Sequence, residues 1–103
     1  MSIISTSSPF LRKFVHTTTS ITAITGATAQ TIQAAANASE KRISTLIQNQ
    51  AGTNTITIIL SPTGNDGIII QPGGFFTIEN YHGPIRVFAS ASGTPVHLAV
   101  CNV

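Results

Sequence analysis

The stretch Ile85-Arg86-Val87-Phe88-Ala89-Ser90-Ala91-Ser92-Gly93-Thr94-Pro95-Val96-His97-Leu98-Ala99-Val100-Cys101 holds two runs of strict alternation. Ile85, Val87 and Ala89 alternate with Arg86, Phe88 and Ser90; Val96, Leu98 and Val100 alternate with His97, Ala99 and Cys101. A period of two marks a strand with one buried face, whereas a helix repeats its apolar positions about every 3.6 residues. The turn formers at 91–95 predict a hairpin loop between the two strands.

Upstream, residues 42–49 and 55–60 form a second candidate strand pair, joined through a five-residue link containing Gly52 and again read as a hairpin, with Ile43 and Ile47 sharing one face. Residues 61–67 are dense in turn formers, and Pro72-Gly73 supplies the fixed and the permissive φ that a type II turn needs. Short strands at 68–71 and 75–79 fit between these turns. Strands recurring about every ten residues predict an all-β fold, a small antiparallel β-sandwich or jelly-roll-like barrel rather than a βαβ unit. Residues 27–41 read as a strand followed by a loop, with one helical turn at 37–41 in which Asn37 caps and Glu40 closes a capping box. Residues 1–19 read as an N-terminal arm, with residues 20–103 as the sandwich domain; the alternative makes the same segment a frayed terminus or the first strand. No internal repeat is visible.

Composition narrows the function. Charged side chains make up 8% of the 103 residues, against ~25% in an ordinary soluble domain, while Ser and Thr supply 25 residues and Ile 15. The longest unbroken apolar run is four residues, Leu98 to Cys101, well below the ~18 to 20 of a spanning helix. No apolar stretch follows Arg12 and Lys13, so no secretory signal is expected. A net charge of +2 spread over Arg12, Lys13, Lys41, Arg42 and Arg86 makes no basic stripe, so nucleic acid is not an expected partner. Few charges also mean little repulsion between copies. With Cys101 as the sole cysteine, no intramolecular disulfide forms.

The chemistry-bearing residues are sparse: Glu40, Asp66, Glu79, His16, His82, His97 and Cys101 beside many hydroxyls. Glu79, His82 and His97 offer three metal ligands, but their spacing matches no zinc pattern, and Glu79 and His82 as solvated loop residues with His97 on the outward face of its strand account for them better. Asp66 in Asn65-Asp66-Gly67 is explained by a turn. Gln71-Pro72-Gly73-Gly74 lacks the following Lys and helix of a phosphate loop, and Asn37-Ala38-Ser39 is a glycosylation sequon without secretory context. Cys101, opposite Val96, Leu98 and Val100, reads as a small apolar residue meeting a neighbouring chain. No catalytic residue, cofactor or metal is expected, and the chain is not read as an enzyme. Tyr81, His82 and Phe88 remain as candidate surface contacts.

In order, residues 42–49, 54–58, 67–73, 85–90 and 93–96, preceded by 27–37 as a leading strand, resemble the small β-sandwich modules of tailed-phage virion proteins, such as head decoration proteins, head fibres and head-tail adaptors. The resemblance covers about three quarters of the chain and rests on generic strand and turn chemistry; residues 38–41 depart from the shorter loop expected there. It implies a non-enzymatic virion structural protein, made in the host cytoplasm and carried in the capsid. The expected role is capsid decoration or minor capsid component, with a head-tail connector, a tail adaptor or a receptor- or glycan-binding fibre module as alternatives. The implied partners are the major capsid protein or other virion proteins and further copies of the chain, a trimer being the favoured homo-oligomer, with no membrane or nucleic acid. Phe10, Leu11, Arg12, Phe14 and Val15 of the arm would make the contact with the shell or a neighbour.

Overall fold

The computed structural model describes residues 13–34 and 42–102. Their β-branched, alternating segments form eight strands: β1 (Lys13–Ile21), β2 (Gln30–Gln33), β3 (Arg42–Asn49), β4 (Ile56–Ile59), β5 (Ile68–Ile70), β6 (Phe75–Glu79), β7 (Ile85–Ala89) and β8 (Thr94–Asn102). A single 3-10 turn, Gly26–Thr28, lies between β1 and β2. The helical turn expected at 37–41 lies outside the described residues, as does the side chain of Ile43.

The strands lie in two antiparallel four-stranded sheets, β1-β8-β3-β6 (sheet A) and β2-β7-β4-β5 (sheet B). The pairs are nested: β4 with β5, β3 with β6, β2 with β7 and β1 with β8. A long hairpin rolled over on itself produces this order, and two packed sheets so connected are a jelly roll. The all-β expectation is therefore met.

Two details of that expectation are corrected. The links 50–55 and 90–93 are not hairpins, because β3 and β8 belong to sheet A while β4 and β7 belong to sheet B. Alternation fixes which face a strand buries and says nothing about its partner. Even four residues reach ~13 Å, enough to cross the ~10 Å between packed sheets. Among the described residues, the one hairpin-type connection joins β4 to β5 through 60–67.

The Pro72-Gly73 turn forms as read: Gly73 has φ +79° and Gly74 N–H donates to Gln71 O at 2.9 Å. It too carries the chain from one sheet to the other.

β1 pairs with β8 along its whole length, so residues 13–19 of the segment read as an arm form the first strand of sheet A. Residues 1–12 are not among those described.

Ile21, Ile47, Ile56, Ile58, Ile70, Ile78, Ile85, Val87, Ala89, Val96, Leu98 and Val100 fill the space between the sheets. Each fully buried large side chain among them contributes ~1.5 to 3 kcal/mol. Hydrogen bonds sew one end of the sandwich together. Gln50 N–H donates to Pro95 O, Ser90 N–H to Thr55 O and Gly93 N–H to Ile21 O, at 3.0, 3.0 and 2.8 Å. The opposite end carries the links 60–67 and 80–84, which the β4–β7 register sets side by side.

Candidate functional site

Because Val96, Leu98, Val100, Ile47 and Ile78 point inward, their strand neighbours make the outer face of sheet A. Register arranges that face in three rows: Thr18, His97, Gln48 and Phe75; His16, Ala99, Leu46 and Thr77; Phe14, Cys101, Ser44 and Glu79. Glu79 is the one carboxylate on this grid, and no lysine or arginine stands on it. Phe14 and Phe75 flank it on the two edge strands, 63% and 66% exposed. Val15, on the other face of β1, is 54% exposed, although its register partner Val100 is buried. Nine-residue β1 and β8 outrun four-residue β2 and five-residue β7, so this end of β1 overhangs sheet B.

Within the grid, His16 and His97 meet diagonally across β1 and β8, with His16 Nδ1 3.0 Å from His97 Nε2 and ring centroids 5.2 Å apart. Thr18 Oγ1 stands 3.4 Å from His97 Nδ1, and the Phe14 ring stacks beside His16 at 6.5 Å. The two histidines are 81 positions apart in sequence, so only the β1–β8 register brings them together. Glu79 is not part of this cluster, since β3 separates β6 from β8. His82 lies in the link after β6, exposed. Among the described residues, no group of three or more His, Cys, Asp or Glu is placed to hold a metal ion.

The other candidates fall elsewhere. Phe14 and Val15 are accessible on β1; Phe10, Leu11 and Arg12 lie outside the described residues. Tyr81 is not a free surface aromatic: its ring packs on the core and its hydroxyl donates to Pro84 O at 2.6 Å. Phe88 sits half-buried on the outer face of sheet B, beside Thr57, whose other neighbour is the exposed Ile69. Cys101 has the outward parity that alternation gives it but is only 2% exposed, so it offers no thiol to a neighbouring chain.

Arg86 has a structural role that its position in the alternation did not reveal. Its guanidinium donates to Gly64 O at 3.0 Å and to Gly26 O at 3.1 Å, tying the 60–67 link to the 3-10 turn over sheet B. Ile59, its register partner, points outward yet is buried beneath them. Gly26 is needed for this closure, since a Cβ there would come within 2.7 Å of Asn65 Cβ.

Strand order and surface together define a class: an eight-stranded jelly-roll module in which the described side chains on the outer face of sheet A are almost free of charge. No protein-family model matches the chain, and no curated protein does. Among solved structures it is similar to a chain from the work "Bacillus endospore appendages form a novel family of disulfide-linked pili", at 16% identity and a TM-score of 0.59 over 90% of this chain and 87% of that one. It is also similar to a chain of the cyanophage Pam1 capsid asymmetric unit, at 14% identity and a TM-score of 0.40 over 88% and 83%. The Bacillus likeness is one of fold.

Proposed function

We propose that this chain is a non-enzymatic virion structural protein, a capsid decoration or minor capsid component that binds the head shell as a homo-oligomer, in the favoured form a trimer. The observation that supports it is the outer face of sheet A, a rigid grid of hydroxyl, amide and apolar side chains bounded by exposed Phe14 and Phe75. Such a face loses little desolvation energy when covered, because it has few charges to strip of water. The motif order along the chain supports the phage setting, and jelly rolls are common in capsids. The Bacillus appendage protein belongs to a pilus by its description, which fits the use of this fold as an assembling subunit. Against the glycan-binding alternative, Tyr81 is spent inside the molecule.

The test is the copy number of the chain on particles purified from producing cells. On the order of hundreds of copies marks a shell component, whereas about six or twelve marks a ring at the neck or tail and overturns decoration. Absence from particles overturns the virion reading altogether.

A further inference from the structure

We propose that His16 and His97 form a binding site for one late first-row divalent cation, with zinc as the reference ion. The two facing nitrogens are already 3.0 Å apart. Two imidazoles bound to one tetrahedral zinc at ~2.0 to 2.1 Å hold their nitrogens ~3.3 Å apart, so a small opening of the pair admits the ion. Both rings project from strands that pair continuously over Lys13–Ile21, which fixes the backbone positions and leaves the small opening to rotation of the side chains.

Tautomers fit as well. Thr18 Oγ1 is placed to accept the Nδ1–H of His97, which leaves the lone pair of His97 Nε2 facing His16. Without a cation, His16 Nδ1–H donates to that lone pair. On binding, His16 carries its proton on Nε2 instead, through exchange with water, and both facing nitrogens become acceptors. No bond other than N–H is made or broken besides the two to the cation.

The surroundings select the ion. The rows of His16 and His97 hold Thr18, Gln48, Phe75, Ala99, Leu46 and Thr77, none of them a carboxylate. Imidazole donors without carboxylates suit zinc, nickel or copper rather than calcium or magnesium. The exposed face leaves the remaining coordination positions to water.

Zinc chloride titrated into the full chain, followed by calorimetry and by the histidine ring resonances, tests the site. The expected result is one zinc per chain, with the rings of His16 and His97 shifting together and that of His82 unmoved. His16→Gln and His97→Gln should each weaken binding at least about tenfold, while His82→Gln leaves it unchanged and magnesium does not compete. Equal shifts at all three histidines, or unchanged affinity in both Gln variants at positions 16 and 97, would reduce the pair to a hydrogen bond and overturn the proposal. The ring resonances of the unaltered chain decide the matter even where a variant fails to fold.

Discussion

Asn49, the last residue of β3, is fully buried, and its side chain is used completely. Its amide donates to Asn54 O at 2.8 Å and Ile70 O at 3.1 Å, and its Oδ1 accepts from Ala51 N–H at 3.0 Å. Its backbone N–H and C=O bond to Gly74 O and Gly73 N–H. One residue thus joins the end of β3 to the end of β5 in the other sheet. Asn49→Leu keeps the branched shape but adds bulk and takes the amide away from Asn54 O, Ile70 O and Ala51 N–H, of which the bond to Ile70 O is fully buried, so a loss of about 2 to 3 kcal/mol is expected. Asn49→Asp should be at least as harmful, because a carboxylate oxygen then faces two carbonyls. Urea midpoints measure both, and a midpoint unmoved by Asn49→Leu would remove Asn49 as the junction. Arg86 acts likewise at the other end: Arg86→Ala should cost ~1 to 2 kcal/mol for two charge-assisted bonds at a half-exposed group and speed proteolytic cleavage within 60–67. Unchanged cleavage would mean that the link holds itself.

At the scale of elements, the two glycines flanking β5 are required for different reasons. Gly73 needs its positive φ of +79° but has open space around it, so Gly73→Ala should cost ~1 kcal/mol. Gly67 has no such φ; a Cβ there would run into the Ile58 carbonyl oxygen on β4, and Gly67→Ala should cost about 2 to 3 kcal/mol and lower amide protection along β5. Equal losses at the two positions would contradict this division. Gly73 could be read from Pro72-Gly73 alone, because turn chemistry is local. So could the inward faces of β7 and β8, because alternation reports burial directly. Gly67, Asn49 and the His16–His97 pair could not, since each depends on a strand partner remote in sequence. The same limit made two inter-sheet links look like hairpins. A short loop and matched alternation on either side suit a crossing between sheets as well as a return within one. Arg86 read simply as a polar position of β7, and only the loops folded over it give it a task.

For the whole molecule, the governing quantity is charge. Five basic and three acidic residues serve 103 positions, and Arg86 is already engaged within the chain. A domain this small buries roughly 60 to 70% of its unfolded surface, so covering more of it in an assembly adds stability. Among the described residues, the exposed apolar groups that assembly can use include Phe14 and Phe75 at the edges of sheet A, Val15 on β1, Ile24 after it, and Ile69, 63% exposed, on edge strand β5. Such contacts are hydrophobic and hydrogen-bonded, and screening acts on neither. Between ~0.05 and ~0.5 M salt the Debye length falls severalfold, yet self-association or particle binding should hold or strengthen. Phe14→Asp or Phe75→Asp should weaken it by at least about tenfold, the equivalent of ~1.4 kcal/mol and less than one fully buried aromatic contributes. Both positions are exposed in the isolated chain, so the thermal midpoint of the unassembled subunit should scarcely move. Sedimentation velocity across that salt range, with the unaltered chain and both variants, measures the association, and thermal melts followed by circular dichroism measure the midpoint. Association that fades with salt and ignores both substitutions would place the contact on the few lysines and arginines, and would take the outer face of sheet A out of the assembly.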